Sequence, residues 1–358
     1  MKQYFGIQRC FVGYSAITGP VFKNHDCQGH KECHDRLVTA LEGLPKTIAI
    51  HDPVQATRSQ LERVHVPGYL TWLEGQCVRN AAYCSLDDYM FTGGFLEQNQ
   101  IRMGYIDPNT YVNPCSYEVA TYAAGSAVAA VERTLSGETC FAMVRPPGHH
   151  AEADRAMGFC LLNNAAVAAA DALTSVDRVA IVDWDAHHGN GTQSIFYDSD
   201  RVLYCSTHQK DAFPHTGLVQ ETGHGRGTGY TINVPLPFRS TIPDYQLAFT
   251  EVIVPAVQRF EPDLVIVSAG QDVLSDDPVG SMRLEPGDIG VLTSLIRGAG
   301  DFPLAFILEG GYGPSHADAI RSIFSSLDGR VPAPSRDSLP VKAVQETVRH
   351  LKTLHHLN

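Results

Sequence analysis

The strongest constraint on the fold of this chain is a set of short, almost uninterrupted apolar runs separated by helical stretches. The runs are Thr139–Val144, Arg178–Val182, Arg201–Ser206, Tyr230–Val234, Asp263–Ser268 and Leu304–Leu308. Apart from Tyr230–Val234 they do not alternate apolar with polar, so both faces of each such strand are buried, as the strands of a parallel sheet are. Between them, Ser116–Leu135 (capped by Ser116 and stopped by Gly137), Asn163–Leu173, Gln193–Tyr197, Tyr245–Phe260 and Pro286–Arg297 read as helices, the fourth ended or interrupted near Pro255. This alternation predicts an α/β fold: one domain over 1–358 with a central parallel sheet flanked by helices. No linker divides the chain, and 358 residues bury a substantial core.

The N-terminal part is the least regular. A strand is expected at Thr47–His51, with helices at Arg36–Leu41, Ser59–Val64 and Pro67 to about Gln76. The stretch His25–His34 holds three His and two Cys in ten positions. It reads as a structural zinc site or as a polar loop, and the lack of a Cys-x2-Cys pair favours the loop. Leu86–Pro114, rich in Gly, Asn, Asp and aromatics, is too long for a simple connector and reads as a functional loop.

The formal net charge of -12, with no basic block, argues against nucleic-acid binding. The 9 Cys form no small-domain framework, so they read as reduced and the protein as cytoplasmic. No stretch reaches the length of a membrane span, and Met1–Gly6 shows no signal-peptide core.

Each apolar run ends in a polar cluster, and sites in open α/β sheets form at the carboxyl ends of strands. The richest cluster is Asp183-Trp184-Asp185-Ala186-His187-His188-Gly189-Asn190-Gly191. Asp185 and His187, at i and i+2 on extended chain, point the same way and suit zinc or manganese. Asp272, after another buried run, is the most plausible third ligand, and two Asp and one His with an open position suit a catalytic zinc. His149 and His150 follow the rigid Pro146-Pro147-Gly148 and read as further ligands or as acid/base groups. Asp183 is a natural acceptor for a ring N–H. Tyr312, in Gly310-Gly311-Tyr312-Gly313, could turn its hydroxyl toward a substrate oxygen.

Four motifs carry a family resemblance: Arg145-Pro146-Pro147-Gly148-His149-His150-Ala151, Gly158-Phe159-Cys160, Asp183–Gln193 and Glu309-Gly310-Gly311-Tyr312. Together, and in this order, they resemble the zinc-dependent histone deacetylase and acetylpolyamine amidohydrolase superfamily over roughly residues 20 to 325. Trp184 and Asn190 resemble the class II enzymes and their prokaryotic relatives. The resemblance implies an arginase-like domain that removes acetyl or related acyl groups from acyl-lysine or a similar primary amine. It implies Zn2+ on Asp185, His187 and Asp272, His150 as general base and acid, and His149, oriented by Asp183, as its electrostatic partner. It implies Tyr312 stabilising the oxyanion, Asn190 behind the base, and Gly158, Phe159 and Phe213 in an acyl-amine channel. A structural K+ is implied on backbone oxygens of Asp183, Asp185 and His187 with Ser206 and Thr207, and a second monovalent site around Phe196, Ser199, Val202 and Tyr230. Arg36 is matched loosely to an inner acetate channel. Gln271 departs from the Phe of many members. Acetylpolyamine turnover, a non-catalytic acyl-lysine binder or scaffold, and a paired-manganese ureohydrolase are the alternatives, and homo-oligomer formation is left open.

Overall fold

The computed structural model describes residues 13–27, 29–82, 104–335 and 338–357. In chain order its elements are β1 (Tyr14–Ile17), α1 (Asp35–Leu41), β2 (Ala49–His51), α2 (Arg58–Leu61), α3 (Pro67–Ala82), β3 (Gly104–Tyr105), β4 (Tyr111–Val112), α4 (Ser116–Leu135) and β5 (Thr139–Ala142). They continue with α5 (Asn164–Ala172), β6 (Val179–Asp183), α6 (Asn190–Phe196), β7 (Val202–Gln209), β8 (Thr231–Leu236), α7 (Ile242–Ala248), α8 (Val254–Phe260) and β9 (Leu264–Ser268). The last are α9 (Pro286–Arg297), β10 (Leu304–Ile307), α10 (His316–Leu327) and α11 (Lys342–Leu354). No helix among the described residues is long and apolar enough to cross a membrane.

Eight strands form one sheet in the order β2-β1-β5-β10-β9-β6-β7-β8, and every pairing in it is parallel. The central strands are buried along their whole length, as their unbroken apolar runs require. Asp183 lies level with both Ser206 and Ser268, so β6 and β9 finish side by side while β7 runs on to Gln209. Helix α4 packs on β5 and β10 and against α5, α9 packs against α10, and α11 covers β8. Trp184, Phe141 and Phe306 fill the core beneath the strand ends.

Two sequence expectations change and one is sharpened. Ser116 does not cap α4 but opens it; its hydroxyl accepts from the Asn113 amide at 2.7 Å and bonds the His25 ring at 2.6 Å. The stretch from Tyr245 to Phe260 is interrupted just before Pro255, as expected, by a π-helical turn, Phe249–Ile253, which accommodates the N–H that Pro255 lacks. The region before Thr47 contributes β1, which sits between β2 and β5 and was not expected as a strand. Of the loop expected at Leu86–Pro114, residues 86–103 lie outside the described residues; the remainder holds the small β3–β4 hairpin.

Candidate active site

Four adjacent strands, β5, β10, β9 and β6, deliver the site, although in sequence order they are separated by as much as half the chain. After β6 come Asp185 and His187, and after β9 comes Asp272. Their ligand atoms lie within 4.8 Å of one another. His187 Nδ1 stands 2.8 Å from Asp272 Oδ2 and 3.2 Å from Asp185 Oδ1. Backbone amides aim both carboxylates: Asp185 accepts from His187 N and Gly310 N, and Asp272 from Ala186 N. Both Asp side chains are buried.

The charge balance of this trio asks for a cation. Burial and the neighbouring Asp185 push the Asp272 carboxyl up to about 7. Burial opposes charge on His187, yet Asp272 and Asp185 lift it well above the ordinary imidazole range. Burial also opposes ionisation of Asp185, but His149 and His187 hold its carboxyl below the usual range. Two buried carboxylates held this close to each other and to one imidazole suit a divalent ion. Two carboxylate oxygens and one imidazole nitrogen match a zinc donor set. The residues fit the metal.

The segment after β5 carries His149 and His150, whose rings lie 4.1 Å apart. His149 Nδ1 stands 3.0 Å from Asp183 Oδ2, which also accepts from Tyr204 at 3.0 Å. Burial disfavours its charge, but Asp185 and Asp183 outweigh that and raise it to about 10. His150 meets an amide instead, with Nδ1 at 2.9 Å from Asn190 Oδ1. Burial and the His149 and His187 rings push its pKa well below the ordinary value. Two adjacent residues of one type thereby have their pKa values pushed in opposite directions.

The cavity above the trio is narrow, about 160 Å³, and is lined by His149, His150, Gly158, Phe159, Asp185, His187, Phe213, Asp272 and Tyr312 together with Asn109, Pro147, Val279 and Gly310. Gly158 has φ +58, and a Cβ there would stand 2.5 Å from the His150 ring and 2.9 Å from Phe213. Only glycine lets both rings reach the channel wall. Phe159 also has positive φ, held by its amide bonding Thr110 at 3.0 Å, and its ring meets Tyr312 edge-on at 5.7 Å. Burial keeps the Tyr312 phenol well above its usual pKa despite the Arg36 guanidinium over its ring, so it remains a donor. Ser206 and Thr207 lie buried on β7; Thr207 Oγ1 has no hydrogen-bond partner, while Ser206 Oγ bonds His208 at 2.9 Å.

Two positioning groups have no role assigned from the sequence. Glu309 is buried and accepts from Gly148 N at 2.7 Å and His149 N at 3.0 Å, tying the His149-His150 turn to β10. Burial pushes its carboxyl up to about 7. The other is Glu32. Among the described residues, the His and Cys of His25–His34 do not converge on a metal position. That loop instead wraps Arg145, which Glu32 holds through two bonds of 2.7 and 2.6 Å, with Asp26 at 2.8 Å and the carbonyls of Phe22 and His25 completing the shell. Arg36 donates to the carbonyls of Gly311 and Glu309, just before Tyr312.

Residues 30–327 match the family described as Histone deacetylase domain. A protein of Archaeoglobus fulgidus named "Probable deacetylase" is 35% identical over 315 residues, covering 83% of this chain and 81% of that protein. The "Histone deacetylase-like amidohydrolase" of Pseudomonas aeruginosa is 34% identical over 353 residues, covering 92% and 87%. The crystal structure of the HDA15 HD domain superposes with a TM-score of 0.82 at 30% identity, covering 96% of this chain and 95% of that one. With the parallel sheet, the Asp-His-Asp trio and the paired histidines already in place, these likenesses settle the family: the chain belongs to the histone deacetylases.

Proposed function

We propose that this protein is a zinc-dependent deacylase, a single catalytic domain that hydrolyses the amide of an acyl-lysine or a similar acylated primary amine. The observation that carries it is the convergence of Asp185, His187 and Asp272 beside an oppositely tuned His149-His150 pair in one narrow cavity. Zinc held by the three ligands would polarise the scissile carbonyl and acidify water, the chemistry this donor set supplies when loaded. Phe159 and Phe213 flank the unbranched chain of the substrate and exclude water around it. His150, held neutral, takes the proton of the attacking water at its free ring nitrogen and later returns it to the leaving amine. His149 stays charged through its bond to Asp183 and offsets the negative charge that develops beside it. The Tyr312 hydroxyl donates to the carbonyl oxygen as it becomes an oxyanion.

Backbone oxygens of Asp183, Asp185 and His187, with Ser206, level with Asp183, and the buried Thr207, would hold a structural potassium beside β6. The free thiols of Cys77, Cys140, Cys160 and Cys205 support a reducing, cytoplasmic setting. Turnover of acetyl-lysine peptides, longer acyl-lysines and acetylpolyamines by the zinc-loaded protein tests the reading and ranks its substrates. A zinc-loaded protein that binds hydroxamates yet hydrolyses none of them is a binding protein. Two manganese ions per chain would place it with ureohydrolase chemistry instead.

A further inference from the structure

We infer that Glu152 is a positioning residue for the reaction: it orients the Asn190 amide so that its oxygen, not its nitrogen, faces His150. The inference rests on the assignment of His150 as the base. A carboxylate behind a histidine has two equivalent oxygens and orients the ring whichever way it turns. An amide does not, because one end accepts and the other donates. With Asn190 Oδ1 toward His150 Nδ1, that nitrogen carries the proton and the other ring nitrogen is free to act as base. With the amide reversed, the nitrogen facing His150 would be a donor, the proton would move to the other ring position, and the base would be lost.

Something must therefore choose between the two amide orientations, and the residues around Nδ2 show what does. Asn190 Nδ2 donates to Glu152 Oε1 at 2.8 Å; its other neighbours, the His150 carbonyl and Met157 Sδ, are both at 3.4 Å and weaker. A carboxylate only accepts, so reversing the amide would set Asn190 Oδ1 against a Glu152 oxygen. Glu152 is itself held. Its amide donates to the Arg155 carbonyl at 2.9 Å, and its carbonyl lies 3.0 Å from His65 Nδ1. The other His65 nitrogen accepts from the Asn163 amide at 3.0 Å, so Nδ1 carries the hydrogen and donates to Glu152. Gly191 completes the arrangement: a Cβ there would stand 2.2 Å from the Ala151 carbonyl, so the start of α6 approaches residues 151–152 only with glycine.

The test measures kcat and KM of the zinc-loaded enzyme on a fluorogenic acetyl-lysine substrate in two backgrounds. In the Asn190 background, Glu152→Ala lowers kcat by about fivefold or more and leaves KM within about twofold, because only the base is disturbed. In the Asn190→Asp background the same change does not lower kcat, since a carboxylate needs no orienting and its second oxygen is freed from the like charge of Glu152. Any other pattern, in particular an equal loss in both backgrounds or none in either, overturns the inference. Should Glu152→Ala fail to fold, the isosteric Glu152→Gln is examined in histidine 15N spectra. There the His150 proton, confined to Nδ1 in the native protein, spreads over both ring nitrogens, and an unchanged tautomer overturns the inference. Substantial turnover by His150→Ala would fault the base assignment instead, and so separates the two failures.

Discussion

Glu32→Gln is the most informative single change away from the reacting groups. Glu32 and Arg145 are both fully buried, bonded twice at 2.6 and 2.7 Å, with His25 and Arg36 at 3.6 Å on the same carboxylate. Burial would raise the Glu32 carboxyl, but Arg145 overrides it and holds it at about 2, below its ordinary 4.5. Lowered by that interval, the group contributes about 3 kcal/mol to stability near neutral pH, in line with the cost of breaking a buried ion pair. Unfolding entropy of about 2.1 cal/mol/K per residue converts this to a fall in Tm of roughly 4 °C. A depressed carboxyl pKa stabilises above the unfolded value, and the effect disappears as pH falls through the folded value. Urea unfolding of native and variant protein should therefore differ by a constant amount down to about pH 5, with the gap closing below 4.5 toward 2. The rate should fall too, because Arg145 opens the turn that carries His149 and His150. A gap that is independent of pH, or that widens on acidification, would show that the Glu32 charge is not what holds Arg145.

Three further outcomes follow from the site. Tyr312→Phe should cut kcat by about 10²-fold or more with zinc content unchanged, since it removes a donor used mainly in the transition state; an unaltered kcat takes Tyr312 out of the mechanism. Asp272→Asn should lower metal content, measured by atomic emission, and chelation of the native protein should abolish turnover and lower Tm, both restored by added zinc. Phe213→Ala should raise KM several-fold for acyl-lysine substrates with a smaller effect on zinc binding, and an unchanged KM would move the substrate chain away from that wall.

Much of the architecture was legible because it rests on burial. A run such as Val179–Val182 is apolar at every position only because both faces of β6 are covered, so the sequence announces a parallel strand. The convergence of Asp185, His187 and Asp272 was legible for a related reason: they are polar residues placed after such runs, and strand ends are where an open sheet leaves room for chemistry. Strand β1 was not legible. It is four residues long, Tyr14–Ile17, and includes Ser15, whose hydroxyl bonds Glu138 at 2.8 Å. Its place in the sheet comes from pairing β2 and β5 on either side, not from local periodicity. Glu32 was hidden likewise, since a Glu in a polar loop is ordinarily solvated and only the position of Arg145 makes this one buried.

The division of labour between His149 and His150 shows where local reading ends. The two residues are identical, adjacent and similarly buried, so nothing in their immediate sequence distinguishes them. What separates them arrives from elsewhere in the sheet. Asp183 and Asp185, on and just beyond β6, face His149 with negative charge, whereas the start of α6 presents His150 with the uncharged Asn190. Strand order brings this about: β5 and β6 are consecutive in the sheet's sequence order, yet β10 and β9 lie between them. The segment after β5 therefore spans two intervening strand ends to meet the carboxylates of β6, and Glu309 at the end of β10 anchors it on the way. Once that crossing is made, the ring toward the carboxylates must favour its charged form and the ring toward the amide its neutral one. The asymmetry of the pair is thus set by topology acting on two equal side chains.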